Sequence, residues 1–126
     1  MKNIKKHYLI KAAVEDVFTA LTNPLTIEMW TGAPAIMIPE AGTEFSLWDG
    51  DITGTNLEII PNKLLKQQWD FEGEDGTSVV TITLSSEGKD TRIELLHLDI
   101  PDQAFENIVD GWDRYYFRPL KELLEE

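Results

Sequence analysis

Residues 101–126 read PDQAFENIVDGWDRYYFRPLKELLEE, and the spacing inside that run decides the fold. Phe105, Ile108, Val109, Trp112, Tyr115, Tyr116, Leu120, Leu123 and Leu124 recur at steps of three and four. A helix of 3.6 residues per turn gathers them on one face. Such a face must be buried against something, and the roughly 100 residues before it read mostly as strands. The expectation is therefore a long terminal helix laid across a curved antiparallel sheet, with room for a pocket between the two. Pro119 falls inside the helix, where its missing N–H removes a backbone hydrogen bond and predicts a kink.

Working back to the N-terminus, Lys2 to Lys11 alternates, with Ile4, Tyr8 and Ile10 on one side and Lys5, His7 and Leu9 on the other. This predicts an opening strand. Val14, Val17, Phe18 and Leu21 then take helical spacing, with Glu15 and Asp16 in the first turn, where the helix dipole favours carboxylates. Asn23-Pro24 ends that helix, because a residue before proline resists the α conformation. Leu25 to Trp30 reads as one further short turn. After Thr31 the period becomes two, and five strands are expected: Thr43–Trp48, Asp51–Ile60, Lys63–Phe71, Thr77–Ser85 and Thr91–Leu98. The breaks at Asp49-Gly50, Pro61-Asn62, Asp75-Gly76 and Gly88 are short enough to force antiparallel neighbours. The fold class is α+β in a single domain, 1–126, with about six strands and short helices after the first.

Strand parity assigns faces. Phe45, Leu47, Leu65, Gln67, Trp69, Phe71, Val80, Ile82, Leu84, Ile93, Leu95 and His97 share the apolar parity, while Lys66, Gln68, Asp70, Thr81, Thr83, Arg92 and Glu94 alternate with them. Such alternation means one buried and one wet sheet face. Gln67 and His97 are the polar residues on the buried parity, and each needs a partner or loses about 1–3 kcal/mol to desolvation.

Charge limits the partners. The net charge is −12, and no Lys or Arg occurs from Ala12 through Asn62, a stretch with eight acidic residues. An acidic surface repels phosphate backbones and anionic lipid, which argues against nucleic acid and membrane partners. The chain has no cysteine, so there is no disulfide framework, thiolate nucleophile or zinc–thiolate site. No signal-peptide pattern or membrane-length apolar run is present. The simplest expectation is a cytoplasmic protein.

Several segments, in order, resemble one family. They are the opening strand before AAVEDVFTALTNP, Trp30, PEAGTEFSLWDGDITGTNLEIIPNKLLKQQW, TRIELLHLDIP and GWDRYYFRPLKELLE. Together they are similar to the C-terminal homology domain of the activator of heat-shock-protein-90 ATPase. That family belongs to the helix-grip superfamily of START domains, polyketide cyclases and the birch-pollen allergen. The resemblance implies a curved sheet gripping a long helix, often around an apolar cavity. Family co-chaperones also carry a separate N-terminal domain with a basic chaperone motif, and no equivalent motif stands in these 126 residues.

The chemistry is sparse. His97 is placed where a general base or ligand anchor could sit, yet no nucleophile motif or further metal ligands accompany it, and a structural role is preferred. His7 falls on the wet parity. The run DFEGEDG, 70–76, fails as a calcium loop, because Asp75 and Thr81 stand where glycine and glutamate are required. No glycine pattern forms a phosphate loop; Gly54 reads as a bulge, and Gly111 as a point of close helix approach. No catalytic residue, metal or cofactor is assigned. The expected cavity lining is Trp30, Phe45, Gln67, Trp69, Phe71, Leu95, His97, Trp112 and Tyr116, with Gln67 and His97 orienting a ligand, against the alternative of a filled core. Three functions rank in order: a binder of a small apolar or amphipathic ligand; a chaperone-associated regulator; and, a distant third, a cyclase- or hydratase-type enzyme using His97.

Overall fold

The computed structural model describes residues 1–71 and 78–125. It contains β1 (Lys2–Ile10), α1 (Val14–Thr22), α2 (Pro24–Thr31), β2 (Glu44–Leu47), β3 (Ile52–Ile60), β4 (Leu64–Trp69), β5 (Ser78–Glu87) and β6 (Asp90–Ile100). A short 3₁₀ turn, Asp102–Ala104, leads into the C-terminal helix, 105–124. The expected turn at Asp75-Gly76 and the rejected calcium loop fall wholly or largely outside the described residues.

The six strands form one antiparallel sheet in the order β1-β6-β5-β4-β3-β2. The first strand pairs with the last, so β1 and β2 lie at opposite edges. The α1–α2 connection therefore has to cross between the edges, and α1 packs on β5 and β6. Asn23 serves both helices: it is the C-cap of α1, and its side-chain oxygen accepts from the Leu25 and Thr26 amides to cap α2. Pro24 at the first position of α2 lacks an N–H the helix would not have used. The Asn-Pro pair thus ends one helix and begins an eight-residue one, longer than the single turn expected. The Trp30 indole ties the two together by donating to the Ala20 carbonyl at 2.8 Å.

Register follows the expected parity. Leu65 faces Ile82, which faces Leu95; Gln67 faces Val80, which faces His97. All six are buried on the side that carries the helices. One irregularity in β3 falls between Asn56 and Glu58, and the residue it leaves unpaired, Leu57, is exposed. Gly54 is not at this bulge. It sits opposite Phe45, and a Cβ there would collide with the Gln68 carbonyl oxygen and the Phe45 ring. Its role is close approach of backbone and ring.

The C-terminal helix is not uniform. It is α-helical over Phe105–Gly111, π-helical over Trp112–Phe117 and α-helical again over Arg118–Leu124. A π turn bonds i to i+5, so Tyr116 and Phe117 both come round beneath Trp112. Their ring centroids lie 4.6 and 5.7 Å from its ring. Trp112, Tyr116, Phe117 and Leu120 are buried, whereas Tyr115 is 57% exposed. A regular α period had put Tyr115 inside and left Phe117 out. Pro119 takes the second position of the last segment, just after the π turn, where the backbone pattern is already changing.

Candidate functional site

Two polar groups lie beneath the helix, and both are bonded to protein. The Trp112 indole N–H donates to His97 Nδ1 at 3.1 Å, and His97 Nε2 meets Ser78 Oγ at 2.8 Å. Ser78 Oγ in turn donates to the Leu98 carbonyl at 3.1 Å. With an indole N–H aimed at Nδ1, that nitrogen must be the acceptor, which makes the ring the neutral Nε2–H tautomer. Burial pushes the His97 pKa down to about 4; protonation would set an N–H against an N–H in a dry site. Gln67 is equally occupied. Its amide donates to Asn56 Oδ1 at 2.9 Å and its oxygen accepts from the Trp69 indole at 3.0 Å. Asn56 itself donates to the Ile38 carbonyl and Thr43 Oγ1. Among the described residues no buried side-chain nitrogen or oxygen lacks a partner.

The expectation that Gln67 and His97 reach into a cavity is therefore corrected. Both are buried, at 1% and 0% exposure, and neighbouring strands and the helix supply their partners. A general acid–base role for His97 loses its basis too, since neither ring nitrogen is free to meet a substrate.

A cleft of about 340 Å³ opens on the other side of Trp112. It is bounded by Trp48, Asp51 and Ile52 at the β2–β3 turn, by Trp69 at the end of β4, and by Asn107, Ile108, Gly111, Trp112, Tyr115 and Tyr116 on the C-terminal helix. Trp69, Trp112 and Tyr116 are nearly fully buried and make its floor; Tyr115 and Asp51 are exposed at its rim. Of the expected lining, only Trp69, Trp112 and Tyr116 belong to it. Trp30 packs behind, 4.9 Å from the Tyr116 ring. Phe45 and Leu95 are in the filled core, and Phe71 stands 6.2 Å from the His97 ring, outside the cleft.

The remaining lining residues carried weak sequence signals. Trp48 and Asp49 both adopt positive φ, 50° and 53°, followed by Gly50 at 96°. A bulky residue in the left-handed region costs about 1–3 kcal/mol and persists only where its surroundings hold it. Here the Trp48 ring is held edge-on to Trp30 and Tyr116, at 6.0 and 6.1 Å. Gly111 is not a point of close approach: a Cβ added there would meet nothing within 4 Å. It lines open space.

The polar groups of this cleft differ from those behind it. The Tyr116 hydroxyl has no protein hydrogen bond among the described residues, although its side chain is only 3% exposed and burial raises its pKa. Since no fully buried polar atom is unpartnered, that oxygen opens to solvent. The side chains of Asp51 and Asn107 likewise have no partner among the described residues. A second hollow of about 300 Å³ lies beside Tyr8 and Phe117, and three of its charged groups, Asp113, Lys121 and Glu125, are already bonded. Tyr8 and Lys6 both donate to Asp113, at 2.7 and 2.6 Å, and Lys121 pairs with Glu125 at 2.7 Å. Among the described residues no group of three or more His, Cys, Asp or Glu could hold a metal ion.

A family profile described as "Activator of Hsp90 ATPase homolog 1-like protein" matches residues 11–125. The chain belongs to that family. Curated relatives include the mouse activator of 90 kDa heat shock protein ATPase homolog 1, 27% identical over 110 residues, and its Dictyostelium discoideum homologue, 29% identical over 116. These alignments cover 86% and 90% of this chain but 32% and 30% of the relatives, so the chain spans about a third of their length. Among solved structures, an HSP90 activator from Plasmodium falciparum superposes with a TM-score of 0.90 at 23% identity, covering 99% of this chain and 97% of that one. CalU16 from Micromonospora echinospora gives 0.84 at 28% identity, covering 96% and 73%. The architecture is the helix-grip fold. No helix among the described residues is long and apolar enough to cross a membrane.

Proposed function

We propose that this family member binds a small, largely apolar or amphipathic molecule in the cleft between the β2–β3 turn and the C-terminal helix. The observation that carries the reading is the Tyr116 hydroxyl, a polar group with no hydrogen-bond partner among the described residues, on an almost fully buried side chain in an aromatic lining. Apolar walls with a few convergent polar groups are the usual composition of small-molecule sites. Gly111 supplies the test. A leucine there projects into the open space and improves helix propensity, so it should block the cleft without cost to the fold. Binding of 2-naphthylmethanol, read by tryptophan fluorescence, should weaken at least about tenfold in Gly111→Leu, roughly 1.4 kcal/mol, with an unchanged or raised unfolding midpoint. Equal binding by the two proteins would sink the reading.

A second reading, of a co-chaperone-like regulator, is favoured by the relatives that are named activators of the 90 kDa chaperone's ATPase. Its support is family membership, and a protein partner would then replace or accompany the ligand. Adding the chain to the Hsp90 of its own cell should raise ATP turnover if that reading holds. Little stimulation is expected from a chain that aligns with only a third of those relatives.

A further inference from the structure

The cleft has a charge pattern as well as a shape. Among the described residues its lining contains one charged side chain, Asp51, and no Lys, Arg or His. The run from Ala12 through Asn62, which supplies Trp48, Asp51 and Ile52, has no basic residue at all. On the neighbouring helix Arg114 lies 3.5 Å from Asp110, Lys121 bonds Glu125, and Arg118 lines the other hollow beside Asp113. The Asp51 side chain is not needed to form its turn, because the Asp51 backbone N–H already donates to the Trp48 carbonyl at 3.2 Å. An ionised carboxylate only accepts hydrogen bonds. The same cleft is lined by three tryptophans and two tyrosines, whose π systems attract cations.

We propose that the ligand of this cleft carries an ammonium group on an apolar body, its charge set against Asp51 and its body against Trp48, Trp69, Trp112, Tyr115 and Tyr116. The inference rests on the ligand-binding reading above and adds the sign of the charge. An anionic ligand would place like charge beside Asp51 with no lining cation to offset it. A neutral one would bring no positive charge to meet the carboxylate. Trp48, held at positive φ, is the lining ring nearest in sequence to Asp51.

The test compares three probes of one shape: 2-naphthylmethylamine, protonated at neutral pH, neutral 2-naphthylmethanol, and anionic 2-naphthoate. Binding is read by tryptophan fluorescence in the intact chain. The amine should bind about tenfold more tightly than the alcohol, and the naphthoate weakest. Asp51→Asn keeps the side chain's shape and should erase most of the amine's advantage while leaving the alcohol unchanged. Glu58→Gln makes the same change in net charge at an exposed site on β3 that does not line the cleft, and should keep the preference. An amine preference that survives in Asp51→Asn would trace it to the overall charge of −12 and overturn the assignment to Asp51. Alcohol or naphthoate binding as tightly as the amine would overturn the charge inference and leave the cleft reading standing. Failure of all three probes would overturn both.

Discussion

Trp112 divides two polar regions that share a helix and an aromatic setting but differ in their bonding. Behind it, Asn56, Gln67, Ser78 and His97 form chains in which each donor meets an acceptor. In front of it, Tyr116, Asn107 and Asp51 line a cleft, and their side chains have no hydrogen-bond partners among the described residues. Buried polar groups that are fully bonded hold a core in one arrangement; unbonded ones beside open space are available to something else. Polarity on a buried parity is thus not by itself a mark of a binding site. What separates the two regions is whether the partners are already there.

The comparison can be broken from the closed side first. Trp112→Ala removes a side chain that is 2% exposed, four ring contacts and the donor to His97 Nδ1, and should cost about 3–5 kcal/mol in denaturant unfolding. A near-wild-type midpoint would place Trp112 outside the core. Acid comes next. The unfolded chain protonates His97 near pH 6.5, whereas the folded chain holds it neutral down to about 4. The unfolded state binds the extra proton between those values. Stability from this residue is therefore complete above about pH 6.5 and falls as pH drops toward 4, by on the order of 3 kcal/mol. His97→Leu should flatten that window relative to wild type, and an unchanged pH profile would contradict the buried, neutral ring argued above.

At neutral pH, His97→Leu should itself cost about 1–3 kcal/mol, because it strands the Trp112 indole N–H in a dry site. Wild-type stability would mean the closed network contributes nothing. Smallest, and opposite in sign, is Gly111→Ala on the open side. The added methyl meets nothing and the helix loses a glycine, so the variant should gain about 0.5–1 kcal/mol. A loss would mean the space beside Gly111 is filled.

Most of the fold is legible in the sequence because strand alternation is a strong signal. Leu65, Val80, Ile82 and Leu95 fall on the predicted face, and the Asp49-Gly50 turn lies where the pattern breaks. The helix misassigned Tyr115 and Phe117, because a π turn changes which residues share a face and leaves no mark in composition. The bulge at Leu57 is also silent, while Gly54, which looks like a bulge, is conditioned by the Phe45 ring opposite. The site was harder still. Gln67 and His97 stand out as polar residues among apolar ones, but their partners Asn56, Ser78 and the Trp112 indole come from β3, β5 and the helix, and only the three-dimensional register joins them. Gly111 and Trp48, which shape the cleft, read as a packing glycine and the end of a strand until the cleft they line is seen.

The central claim is that the open cleft, and not the bonded interior, receives the ligand. Side-chain and backbone NMR under titration with 2-naphthylmethylamine tests it in one experiment, since both regions report at once. The Asp51 and Ile52 amides, the Asn107 side chain, Gly111 and the Trp48 indole should shift together and saturate. The Gln67 side-chain amide and the His97 ring should stay in place. Movement of Gln67 and His97 with a silent Trp48–Ile52 turn would contradict the account and put the ligand in the interior behind Trp112.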